Sequence, residues 1–253
     1  MTRSCFPALC VLFLLLTSCT GYHYVTPLPP VPQFEEAGEV QANAGFGMSH
    51  FEAQASVSPV KYLGFTYNLF VGEQKSTIHT YTLQPYIPLG KGTWATKTYL
   101  SPSLGYTRGD VANMWAPERS GFKYTYQSDF QSFNFGLTSY GRLNHPAFRL
   151  GASLFAYRIR FFSMETGDKK TDKSFTMNLI SPMVHVTYSK PLHGNEWIQL
   201  LLRFSIGFNS CPGTELWPPR GGAHINPMVA SMSVGLNWNS FQNFKKSGSL
   251  FPN

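Results

Sequence analysis

The chain has 253 residues, of which 13% are charged and 15% aromatic, against about 25% charged in an ordinary soluble domain. Its formal net charge is +7, yet the basic residues are scattered, apart from Lys169-Lys170 with Lys173 and the pair Lys245-Lys246. Nucleic-acid binding asks for a massed basic face and is excluded on that ground. The positive balance reads instead as contact with anionic headgroups or sugars at a membrane surface.

Residues 1–18 read as an export signal. Arg3 precedes an apolar run from Cys10 to Leu16, which is too short to cross a bilayer as a helix, since spanning takes about 20 residues. A charged start, a short apolar middle and small residues at the end are what a secretory signal requires. The small residues Thr17 and Ser18 leading into Cys19 resemble the lipobox of bacterial lipoproteins. That resemblance implies lipidation at Cys19, which would become the new N-terminus and carry acyl chains such as palmitate. An ordinary cleaved signal would export the chain equally well. Cys5 and Cys10 leave with the signal, and Cys211 is left alone. One thiol supports neither a disulfide framework nor a metal cluster, so no cofactor and no metal are expected.

Residues 19–38 form a linker. Four prolines between Thr20 and Gly38 block regular pairing and favour extended geometry, which makes a periplasmic tether. A lipobox, a Tyr/Pro-rich linker and the step Phe34-Glu35-Glu36-Ala37-Gly38-Glu39 resemble the outer-membrane β-barrel lipoproteins of the Bacteroidota. The surface-export signal of that phylum places acidic residues after the Cys, and Thr20-Gly21-Tyr22-His23-Tyr24 lacks them. The resemblance therefore implies an anchor facing the periplasm.

From residue 39 to 240 the dominant period is two. Val40, Ala42, Ala44 and Phe46 alternate with polar or small residues, and Ile198 to Phe208 and Met228 to Trp238 alternate most sharply. One face is apolar and the other polar. After Cys19 no further run of about 20 apolar residues occurs, so the reading is an all-β antiparallel up-and-down transmembrane barrel of about ten strands, its apolar parity turned to lipid. Between Phe175 and Tyr188 the parity changes, because Met177 and Leu179 fall on one side while Ile180, Val184 and Val186 fall on the other. A bulge near Ser181-Pro182 would reconcile them, since proline is confined to sheet edges and bulges. Compact turns recur at Ser58 to Tyr62, Gly90 to Trp94, Asn144 to Pro146 and His193 to Glu196, and the connections at the other end are mostly longer, although Met48-Ser49 is short and Glu73 to Ser76 modest. That asymmetry is the layout of a barrel with short periplasmic turns and long external loops. Residues 241–253 follow as a C-terminal periplasmic tail.

Tyr62, Trp94, Phe148 and Trp197 each flank one compact turn and Trp238 closes the final strand, so all five are expected at one headgroup level, where amphipathic rings collect. The polar parity brings Glu39, Glu52, Arg149 and Arg203 into the lumen, with Glu52 and Arg203 as a possible pair. An unpaired charge there is costly, so a plug of paired charges is the expectation and a narrow solute path the alternative. The seven histidines show no metal-ligand spacing. There is no nucleophile elbow and no phosphate loop, and a Ser-His pair at the rim, from His50 or His79 with Ser49 or Ser76, is the only enzymatic option. Trp115, Phe122, Tyr124, Tyr126, Trp217 and Arg220 in the long loops offer stacking surfaces for a small solute, a surface glycan or a partner protein, and a lid folded into the barrel mouth is the equal alternative.

The sequence thus describes a lipid-anchored outer-membrane barrel with periplasmic chain ends. Its role is structural or in small-solute passage rather than enzymatic, with outer-membrane lipids and the barrel-assembly machinery as its partners. Two other readings stand beside it: a soluble lipoprotein that binds a lipid or sugar inside a lipocalin-like barrel, and a barrel enzyme acting on outer-membrane lipid.

Overall fold

The computed structural model describes residues 33–47, 50–72, 76–90, 95–112, 126–143, 147–162, 164–166, 169–171, 174–192, 195–210 and 228–239. Thirteen extended segments follow in chain order: β1 (Glu39–Gly47), β2 (His50–Val60), β3 (Leu63–Gly72), β4 (Thr77–Pro85), β5 (Ile87–Gly90), β6 (Ala95–Ala112), β7 (Tyr126–Leu143), β8 (Phe148–Phe161), β9 (Met164–Thr166), β10 (Lys169–Thr171), β11 (Phe175–Leu192), β12 (Asn195–Phe208) and β13 (Met228–Asn239). They close into a ten-stranded antiparallel barrel. β4 and β5 form one wall strand interrupted at Tyr86. The short β9 and β10 make a hairpin beside the end of β7. The pairing of β1 with β13, from Glu39 opposite Asn239 to Gly47 opposite Ser231, shuts the wall. A closed wall leaves no backbone edge unpaired, the condition for an all-β structure in hydrocarbon.

The register also fixes the tilt. One rung followed around the wall, from Arg160 on β8 through His79 on β4, Ala44 on β1 and Tyr188 on β11, returns to β8 at Phe148, twelve positions lower than it began. Such a stagger requires strongly inclined strands. β6, β7 and β11 have 18 residues each, more than the 9–11 that a tilted strand needs to span a bilayer. The surplus stands beyond the apolar band at the long-loop end.

Side chains alternate as the period of two requires. Leu104, Phe133, Phe135, Leu154, Val184, Leu202 and Val234 are exposed on the outer wall. Ser56, Thr66, Asn68, Thr80, Ser103, Asn134, Thr138 and Thr187 are buried inside. The lumen is not polar throughout, however. Its long-loop half holds an apolar cluster that includes Phe70, Ile78, Phe130, Phe155, Ile159, Phe161, Met177, Leu179 and Met183.

This layering corrects the expectation for β11. Burial alternates without a break from Thr176 to Lys190, so there is no bulge at Ser181-Pro182. The parity change has another cause: the inward residues turn from polar to apolar as the strand climbs. Met177 and Leu179 enter the internal cluster, while Ile180, Val184 and Val186 face outward. Pro182 is exposed on the outer face, opposite Leu154.

Candidate functional site: a plugged mouth at the short-turn end

At the short-turn end the chain before β1 does not run along the wall but turns inward. Gln33 and Phe34 are 1% and 0% exposed, inside the lumen, and Gly38, at φ +82, makes the turn into β1. Its left-handed backbone suits glycine, and its N–H donates to the Ser58 carbonyl at 2.7 Å. The last six residues of the expected tether, 33–38, are thus a lumen plug. Phe34 seats against Tyr86, ring centroids 5.9 Å apart, and Tyr99 and Tyr140 continue the aromatic layer. Gly64 makes room for it, since a Cβ there would lie 2.3 Å from the Phe34 ring.

Polar contacts lock the plug. Tyr140 Oη donates to the Phe34 carbonyl at 2.6 Å, and Arg149 Nη1 donates to the Gln33 carbonyl at 2.9 Å. Glu35 Oε1 takes Arg142 Nη2 at 2.9 Å and Arg149 Nη2 at 3.1 Å, and Lys97 Nζ stands 3.6 Å from Oε2. Burial alone would raise the Glu35 pKa, but Arg149, Arg142 and Lys97 outweigh it and hold the carboxyl below its ordinary value. Glu39 Oε1 accepts the backbone N–H groups of Glu35 and Glu36 at 3.0 and 2.8 Å, which pins the turn. Beneath the plug lies a vestibule of about 490 Å³, lined by Glu35, Glu36, Arg142, Arg149, Lys190 and Asn237 among others.

Above this layer the lumen is laced by hydroxyls. Thr138 Oγ1 meets Ser153 Oγ at 2.9 Å, Ser153 Oγ meets His185 Nε2 at 2.9 Å, and His185 Nδ1 meets Ser205 Oγ at 3.0 Å. His185 is 1% exposed, and each of its ring nitrogens is occupied by a hydroxyl. That arrangement braces four strands. Arg203 reaches Gln54 Oε1 at 3.3 Å, on the inward face of β2 that also carries Glu52. The Glu52 carboxylate closes on His50 Nε2 at 2.7 Å, and His50 stacks on Phe70 at 4.2 Å.

Of the residues singled out in the sequence, Arg149 and Arg203 are buried inside at 4% and 7% exposure. Tyr62 and Phe148 are exposed at the short-turn end, and Trp238 is half-buried there. Trp94, the side chain of Trp197, Cys19, Cys211, Ser49 and the tail 241–253 lie outside the described residues. So do the loop residues Trp115, Phe122, Tyr124, Trp217 and Arg220, and the side chain of Tyr126. The rim histidines do not share a site: His79 Nδ1 lies 2.8 Å from Tyr67 Oη on the outer wall, whereas His50 faces the lumen. Sequence reasoning missed Glu35 as the centre of the charge cluster, and Arg142 with it. The available signal was the even spacing of Arg142 from the inward residues Asn134 and Thr138 on β7.

No family model and no curated protein matches this chain. Solved structures with similar architecture are outer-membrane β-barrel proteins of Gram-negative bacteria. The translocator domain of the autotransporter NalP from Neisseria meningitidis is 11% identical, with 79% of this chain and 86% of that one covered at a TM-score of 0.38. Neisserial surface protein A is 14% identical, with 79% and 96% covered at 0.32. The KdgM porin, solved with disordered oligogalacturonate, is 7% identical, with 79% and 98% covered at 0.32.

Proposed function

We propose that the chain is an outer-membrane lipoprotein, acylated at Cys19, whose barrel is closed to solutes and serves a structural role rather than an enzymatic one. The observation that carries this reading is the plug: Gln33 to Gly38 fill the periplasmic mouth, with Glu35 on two arginines and Phe34 against three tyrosines. The apolar cluster of the external half supplies a second stopper. The exposed apolar parity of the wall supports a membrane setting, because a soluble barrel would turn those side chains inward. The barrel-assembly machinery is then its route into the membrane.

Planar-bilayer recording tests the closed lumen. The wild-type protein is expected to give no conductance steps, and regular steps would contradict the proposal. Labelling with radioactive palmitate, with Cys19→Ser as control, tests the anchor separately.

A second reading, passage of small solutes, is favoured by the charged vestibule beneath the plug. It requires the plug to leave. Conductance steps that arise only when residues 33–38 are replaced by Gly and Ser would place the gate there.

A further inference from the structure

The outer wall carries a site of its own at the long-loop end. One rung sets Arg160 on β8 opposite Gln131 on β7, and Gln131 opposite Arg108 on β6, while Arg158 lies one step nearer the membrane, opposite Phe133. All three arginines are exposed on the lipid-side parity. Cross-strand neighbours stand about 5 Å apart, so three arginine side chains leave the wall within one rung of Gln131, and the Arg160 guanidinium lies over the Phe162 ring, 5.4 Å from its centroid. Among the described side chains no other Lys or Arg faces outward in the external half of the wall.

The carboxylates of this region, Asp110 and Asp129, oppose each other one rung farther toward the loops. An anion that comes from the bilayer therefore meets arginine first. A cavity of about 670 Å³ runs along this rung past His79, Arg108 and Gln131, with Asp110 and Asp129 at its loop side and with Arg158 and Arg160 outside its lining. Below it, a groove of about 650 Å³ descends the wall between Phe65, Leu83, Leu104 and Phe133. Tyr81 and Tyr106 line both, so the recess beside Arg108 and the apolar groove are continuous, in the order of a lipid's headgroup and acyl chain.

We propose that this face of the barrel binds a phosphorylated glycolipid of the outer leaflet, with a phosphate held by Arg108, Arg158 and Arg160 and an acyl chain laid in the groove below Tyr81 and Tyr106. Charge-assisted bonds to guanidinium hold phosphate geometry well. Cations turned toward lipid at the membrane boundary are cheap to place there and gain a partner when the phosphate arrives. The inference rests on the outer-membrane reading, because it is the long-loop end that faces the outer leaflet.

Native mass spectrometry of the detergent-purified barrel tests it, with bis-phosphorylated lipid A, the same lipid after phosphatase treatment, and phosphatidylglycerol as probes. Wild type is expected to retain one bis-phosphorylated molecule. Arg108→Gln is expected to weaken retention by about tenfold, the loss of one charged hydrogen bond, and Arg108→Gln with Arg158→Gln and Arg160→Gln to weaken it further. Lys61→Gln, at the opposite end, leaves retention unchanged. Equal retention of the dephosphorylated lipid or of phosphatidylglycerol, or no loss in the arginine variants, overturns the site. Heat-modifiable gel mobility on the same samples separates the two claims. A folded, detergent-requiring barrel that fails to retain the lipid refutes the site alone, whereas a species that stays in solution without detergent refutes the membrane reading beneath it.

Discussion

Glu35 is a carboxylate with three cationic neighbours on three different strands, Lys97, Arg142 and Arg149, and with Glu39 below it on β1. Replacing it by glutamine leaves Arg149 buried without its counter-charge. Breaking a buried pair from one side costs about 3–5 kcal/mol. Glu35→Gln is therefore expected to lower the urea midpoint of the purified barrel and to expose residues 33–38 to protease. The same geometry fixes a pH dependence. Because the folded-state pKa of Glu35 is lowered, its stabilisation is complete above the ordinary glutamate value of 4.5 and is lost as pH falls below that value through the depressed one. The plug should resist protease from neutral pH down to that range and open only beneath it. Constant resistance at lower pH would show that the carboxylate is not what holds it. Gly64→Leu tests the aromatic half of the lock, since its side chain would occupy the Phe34 seat. It should free the plug without disturbing the pairing of β3 with β2 and β4, read as intact heat-modifiable mobility with protease-sensitive residues 33–38.

At the scale of elements, β12 and β13 were legible in the sequence because their outward and inward residues differ sharply in polarity. On β12, Leu202 is 44% exposed while Arg203 and Ser205 are buried. An arginine placed on the lipid face near mid-membrane costs about 2–4 kcal/mol, so Leu202→Arg should fail to assemble while Leu202→Phe assembles. Normal assembly of the arginine variant would contradict the assigned face. Ser205 is 5% exposed and bonded to His185, so its replacement by a long side chain overpacks the lumen and is disruptive for a different reason. β11 was harder to read, because a period of two detects faces only where their polarity differs. Once the inner face became apolar around Met177 and Leu179, both sides looked alike. The plug was not legible at all: four prolines signal an extended segment but not its destination, and the two arginines that receive Glu35 lie more than 100 residues away in the chain.

For the whole molecule, composition carried the class, since few charges and many aromatics spread over alternate positions fit a closed wall of strands that is apolar on its outer face. The alternation of short turns with long loops then gave the up-and-down order, and the β1–β13 register completes the closure. What only the assembled barrel shows is its interior stratification: a charged and aromatic plug at the short-turn mouth, a hydroxyl network at mid-height, and an apolar stopper toward the long-loop end. None of these layers is a contiguous stretch of sequence. Each is assembled from one or two residues per strand, so pattern reading along a single strand meets them only as irregularities. A barrel closed in this way should be silent in bilayer recordings and should shift its gel mobility on boiling.

The most direct test of the wall is oxygen accessibility of spin labels placed one at a time from Leu200 to Ile206 in reconstituted bilayers. A period of two is expected, with Leu200, Leu202, Phe204 and Ile206 highly accessible to oxygen in the hydrocarbon and Leu201, Arg203 and Ser205 shielded. The opposite phase, or a flat profile along the strand, would contradict it.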